Sequence, residues 1–168
     1  MYYLVVLLRI IAAPLVFISP LIAIILSVFL DIIDGDLACL VISKNKYEEI
    51  DKNLDFWWFA NIMIYSYSHY PQYKLFLFAL FIFRFIGQAL FAVSYKRIFL
   101  MYFPNFFEWS FFLIFLGVNY FPIVINSRLF YLNLGMIFIL KIFQEWFIHV
   151  ADLSVKEILS GKKRNWVS

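Results

Sequence analysis

The segment Pro20-Leu-Ile-Ala-Ile-Ile-Leu-Ser-Val-Phe-Leu-Asp31-Ile-Ile-Asp34-Gly35-Asp36-Leu-Ala38 decides how this chain is read. From Pro20 to Leu30 it carries no charge, and then three carboxylates arrive without any break in the apolar pattern around them. An isolated run of that kind has several readings, but its neighbours narrow them. Apolar stretches recur near 3–19, 21–43, 47–68, 72–95, 106–123 and 128–150, with short polar punctuation between them and a polar tail after the last. Each is close to the roughly 20 residues that a helix needs to cross a hydrocarbon core.

The composition points the same way. The chain has 168 residues, 65% hydrophobic and only 15% charged, and would expose too much apolar surface to water as an ordinary soluble domain. A transmembrane barrel would alternate apolar and polar residues over about ten positions, and these Leu, Ile and Phe runs do not. The expected fold is therefore all-α, an integral membrane bundle of about six transmembrane helices. It forms one domain over 1–168, with a short cytoplasmic C-terminal tail. Pro20, Tyr70-Pro71, Pro104-Asn105 and Pro122 punctuate the spans, and no linker or internal repeat divides them. Arg9 interrupts the N-terminal apolar run, and no small-residue cleavage site follows it, so that run is expected to be a retained helix rather than a signal peptide. The single cysteine, Cys39, excludes an internal disulfide, and a dispersed net charge of +3 gives no reason to expect nucleic acid as a partner.

Six spans put both termini on one side. Lys44, Lys46, Lys96, Arg97 and the tail residues Lys156, Lys162, Lys163 and Arg164 collect there, against Lys74 and Arg128 opposite. By the positive-inside rule that side is cytoplasmic, which places the protein in the cell (inner) membrane with both termini inside. Lys162-Lys163-Arg164 is most simply a contact for anionic lipid. On this topology Arg9, Asp31, Asp34, Asp36, Asp51, Asp55, Arg84, Glu108, Lys141, Glu145 and His149 all lie between mid-membrane and the cytoplasmic face. An ionisable side chain in a bilayer costs at least about 2.5 kcal/mol, so such a collection at one level implies a polar cavity reached from the cytoplasm.

The densest part of that level is Asp31, Asp34 and Asp36 on the second helix with Asp51 and Asp55 on the third. Spacings of three and four residues place Asp31 with Asp34, and Asp51 with Asp55, on single helical faces. The two helices are joined by a short loop, so the four carboxylates can converge. Such a group repels itself unless cations neutralise it, and hard oxygen ligands suit Mg²⁺ or Mn²⁺. An ion-pair network would instead need nearby cations, of which the local sequence offers chiefly Lys44, Lys46 and Lys52. Gly35 and Ala38 are expected to leave one helix face nearly bare, with room for a flat ligand group.

These residues resemble the signature of the CDP-alcohol phosphotransferases: two aspartates three apart, a glycine, an alanine-arginine pair, and after a gap a glycine and two aspartates four apart. Asp31, Asp34, Gly35, Ala38, Asp51 and Asp55 match it. Cys39 stands where the family has arginine, Tyr47 where it has the second glycine, and the gap is one residue shorter. The upstream segment Leu7-Leu8-Arg9-Ile10-Ile11-Ala12-Ala13-Pro14 is also similar to the family's first helix.

The resemblance implies transfer of a phosphatidyl or phosphoalcohol group from a CDP-linked donor to an acceptor alcohol with release of CMP, a phospholipid-making reaction. It implies two Mg²⁺ or Mn²⁺ ions on Asp31, Asp34, Asp51 and Asp55, with Asp55 also the catalytic base. Asp34, Gly35 and Ala38 would meet the nucleotide, and members often form homodimers. Arg9, Arg84 and Lys46 are candidates for phosphate or substrate contact. Lys141, Glu145 and His149 share one face of the last helix and are expected to face the bundle interior. The competing expectation is a silent relative that keeps the metal site as a membrane binding or scaffold protein. An ion transporter is weaker, since neither inverted repeats nor paired broken helices are present.

Overall fold

The computed structural model describes residues 1–149 and 166–167, apart from the side chain of His149. The expectations for Lys156, Lys162, Lys163, Arg164 and the His149 side chain lie outside the described residues. Within them the chain is helical and has no strand. The helices are α1 (Tyr2–Ala12), α2 (Pro20–Ala38), α3 (Lys44–His69), α4 (Lys74–Ser94), α5 (Ile98–Tyr102), α6 (Phe106–Asn119), α7 (Pro122–Ile125) and α8 (Arg128–His149), with a 3₁₀ turn at Pro14–Phe17. Each apolar run in the sequence holds a helix, while α5 and α7 are short additions at the punctuation.

Among the described residues, α4 and α8 are the helices both long enough and apolar enough to cross a membrane by themselves. Their most apolar windows are just 28% and 11% buried by the protein, less than in a mostly covered core helix of a soluble domain. Tyr2–Phe17 and Phe106–Asn119 are apolar but shorter. Helices α2 and α3 have the length; Asp31, Asp34 and Asp36 keep α2 out, and in α3 the charges from Lys44 to Asp55 are joined by neutral polar residues such as Asn61, Ser66, Ser68 and His69.

The described residues fall into two compact units that part at Tyr70, where the sequence itself shows no linker. The first holds α1, α2 and α3 with the terminal pair Trp166 and Val167. Tyr2, Val5 and Ala12 are the buried residues of α1, and Arg9 falls on the same stripe at spacings of three and four. Helix α1 packs against both α2 and α3. Pro14 has no N–H to give the Ile10 carbonyl four residues earlier. The Trp57 indole donates to that carbonyl instead, at 3.0 Å, and so ties α1 to α3.

The second unit holds α4 to α8. Helix α4 ends at Tyr95, which takes the left-handed conformation (φ 58°) at a C-cap where glycine is usual. Gly87 admits the close approach of the α5–α6 connection, since a Cβ there would lie 2.4 Å from Cβ of Phe103. Asn105 caps α6: its side chain accepts the Glu108 N–H and its amide donates to the Glu108 carboxylate at 2.8 Å.

Candidate metal centre

Asp34 and Asp51 lie on the buried stripes of α2 and α3, with Asp55 one turn beyond Asp51, where both helices pack on α1. Ala23, Leu30, Asp34 and Ala38 are buried along α2, and Asp51, Leu54, Trp58, Ile62 and Tyr65 along α3. Asp31 belongs to the same edge of α2 but is more open, its side chain 58% exposed. One oxygen from each of Asp31, Asp51 and Asp55 lies within 4.8 Å of the others, a group able to hold a metal ion. Oxygen ligands of Mg²⁺ or Ca²⁺ stand about 2.0–2.6 Å from the ion, so ligands across it are about 4–5 Å apart. The donor set therefore fits a hard divalent cation in chemistry and in spacing.

The four aspartates converge on a residue from a third helix. The guanidinium of Arg9 contacts all of them: Nη1 donates to Asp34 Oδ2 and, at 2.9 Å, to Asp51 Oδ1. Its Nη2 lies 2.9 Å from Asp55 Oδ1 and 3.2 Å from Asp31 Oδ1. Lys52 closes the other side, its Nζ 2.6 Å from Asp51 Oδ2 and 2.8 Å from Asp55 Oδ2. Tyr47 donates its hydroxyl to Asp34 Oδ1 at 2.8 Å. Arg9 and Lys52 offset two of the four negative charges.

Two expectations meet the structure at this point. Arg9, a candidate for substrate phosphate, is paired here with the four aspartates as their counter-ion. The count of nearby cations missed it because it comes from α1, more than twenty residues upstream of Asp31. The face of Gly35 and Ala38 is not bare either. Ala38 is fully buried in a cluster with Tyr2 and Ile42, and Val6, Leu37, Tyr47, Ile50 and Trp166 pack on that cluster. Tyr47, with a large ring where the resemblance has glycine, packs at a tilt against Trp166 with ring centroids 5.2 Å apart, and the Val167 N–H donates to the Cys39 carbonyl at 3.2 Å.

Arg84 takes its partners from the second unit. It is buried, its Nη1 donates to the carbonyls of Phe103 at 2.8 Å and Leu100 at 3.3 Å, and it stands 3.7 Å from Glu145. Glu145 also accepts the Asn105 N–H at 3.1 Å. Lys141 and Glu145 are buried, as expected, and 4.0 Å apart. Lys141 donates to Gln144 at 3.0 Å and sits over the Trp109 ring. Lys46 is exposed in the first turn of α3, and Asp36, two residues past Asp34 and so on another side of α2, is half-buried.

Set against known proteins, the chain matches no protein-family model, no curated protein and no solved structure.

Proposed function

We propose that this chain is a membrane-embedded transferase of the CDP-alcohol phosphotransferase type. The observation that carries the reading is the convergence of Asp31, Asp51 and Asp55, within 4.8 Å and from two helices, in a chain otherwise poor in charge. In the proposed arrangement six helices cross the cell membrane, with both termini and the aspartates on the cytoplasmic side. Exposed apolar side chains support it, among them Ile25 and Phe29 of α2, Ile64 of α3 and Leu132, Ile139 and Leu140 of α8. With Cys39 replaced by serine, single cysteines at positions 46 and 96 are expected to react with a membrane-impermeant reagent from the cytoplasmic side only. Reaction of position 46 from the other face overturns the topology.

In the proposed reaction the acceptor hydroxyl forms a new bond to the phosphorus beside the alcohol or diacylglycerol group. The bond from that phosphorus to CMP breaks, and the hydroxyl proton passes to the Asp55 carboxylate. Asp31, Asp34 and Asp51 would hold Mg²⁺ or Mn²⁺ together with Asp55, and the bound ion would neutralise charge developing on the attacking and leaving oxygens. Nucleotide contact at Asp34, Gly35 and Ala38 is proposed only with the Tyr2 and Ile42 side chains that cover Ala38 moved aside, and Lys46 remains the exposed candidate for a phosphate.

One observation favours a second reading, a silent membrane scaffold: both carboxylate oxygens of Asp51 and of Asp55 are engaged by Arg9 and Lys52, as in an ion-pair network. Membranes containing the protein, given a panel of CDP-linked donors and alcohols, separate the two. Metal-dependent CMP release that disappears in Asp55→Asn supports the transferase. Saturable Mn²⁺ binding without CMP release from any donor supports the scaffold.

A further inference from the structure

We propose that Arg9 is a built-in occupant of the aspartate cluster, and that a divalent cation enters by displacing its guanidinium. The inference rests on the metal reading of the site. Arg9 uses the same oxygens an ion would need: Asp31 Oδ1, Asp51 Oδ1 and Asp55 Oδ1, all within 3.2 Å of its nitrogens, and it also holds Asp34 Oδ2. A guanidinium at hydrogen-bond distance from each carboxylate occupies the space among them, so an ion cannot take the same oxygens while the fork remains.

Holding Arg9 there also answers a problem the site has without metal. Four carboxylates drawn together in a low dielectric repel one another strongly. Asp34 and Asp51 are buried, and the Arg9 side chain that neutralises them is itself only 8% exposed. Arg9 thus keeps the metal-free cluster folded, and its planar fork suits it to several carboxylates at once where a lysine would not.

Displacement also bears on Asp55. In the metal-free arrangement Arg9 takes its Oδ1 and Lys52 its Oδ2, at 2.9 and 2.8 Å, so neither oxygen is open to a proton from an acceptor. Departure of Arg9 hands Oδ1 to the incoming ion. Exchange of guanidinium for metal at Asp55 is then one event, and Arg9 sets the cation concentration at which it happens.

The test is Mn²⁺ affinity of the purified full chain in detergent, read by the free-ion electron paramagnetic resonance signal. Arg9→Met is expected to bind Mn²⁺ about 10-fold more tightly than the unaltered protein, a change in the usual range for coupling between two binding events. Arg9→Lys separates displacement from simple charge repulsion. It keeps the charge but cannot bridge four carboxylates, so displacement predicts tighter binding, whereas repulsion alone predicts no change. Thermal unfolding supplies a second readout: Arg9→Met is expected to melt below the unaltered protein without metal and to recover with Mn²⁺.

Unchanged or weaker Mn²⁺ affinity in Arg9→Met overturns the inference while leaving the metal site standing, and so does tightening in Arg9→Met with none in Arg9→Lys. If the unaltered protein and both variants show no saturable Mn²⁺ binding, the metal reading fails and this inference falls with it.

Discussion

Asp51→Asn is expected to abolish saturable Mn²⁺ binding, or weaken it by at least about 100-fold, and to lower stability as well. Losing a group that merely orients a metal ligand typically costs about 10–100-fold in affinity, so losing a ligand should cost no less. Asp51, like Asp55, is shared between both cations, its Oδ1 2.9 Å from Arg9 and its Oδ2 2.6 Å from Lys52, and it is the more buried of the two. Asparagine has the same shape, but it removes the charge and turns an N–H₂ donor toward one of those cations. The other carboxylates still partner Arg9, so the stability loss should be about 1–3 kcal/mol rather than that of a stranded charge. Asp31→Asn is the matched comparison: its side chain is 58% exposed and meets Arg9 at 3.2 Å, so Mn²⁺ binding should fall while the melting temperature barely moves. Two variants that both bind Mn²⁺ like the unaltered protein would reduce the cluster to an ion-pair network.

The contrast between Asp51 and Arg9 shows what could be read from the sequence. Asp31 with Asp34, and Asp51 with Asp55, were legible because three- and four-residue spacings fix which side chains share a helical face, and carboxylates in apolar runs stand out. Their approach followed from a loop of a few residues between α2 and α3. Arg9 was visible as a charge in an apolar run, and its register with Tyr2, Val5 and Ala12 would have placed it on the buried stripe had that stripe been known. On a helix that is apolar all round, periodicity does not say which side is covered, because lipid and protein interior favour the same residues. The crowding over Gly35 and Ala38 was hidden for another reason. It depends on Tyr2, from α1, and on Trp166, at the other end of the chain, and small residues attract large neighbours as readily as they leave room for a ligand.

Arg84→Ala is expected to destabilise the protein by about 3–5 kcal/mol, the usual cost of removing one partner from a buried ion pair. Before the structure is considered, a mid-helix arginine invites a substrate phosphate, and alanine there should weaken nucleotide binding. Its contacts argue otherwise. Arg84 is 3% exposed and Nη1 spans the carbonyls of Leu100 and Phe103 and the carboxylate of Glu145. Leu100 lies in α5 and Phe103 just beyond it, so these carbonyls belong to a helix end that has no further turn to satisfy them. Alanine takes this donor from both carbonyls and the arginine from Glu145, which keeps the Asn105 N–H at 3.1 Å and Lys141 at 4.0 Å. Glu145→Gln should cost less, because a glutamine oxygen can still accept the Asn105 N–H that Glu145 holds at 3.1 Å. Thermal unfolding in detergent should therefore rank Arg84→Ala well below Glu145→Gln, with Mn²⁺ affinity unchanged in any folded fraction of either. An Arg84→Ala protein that melts normally yet binds cytidine nucleotide more weakly would return Arg84 to the substrate. The carbonyl and carboxylate contacts would then be a resting position that the side chain leaves at little cost.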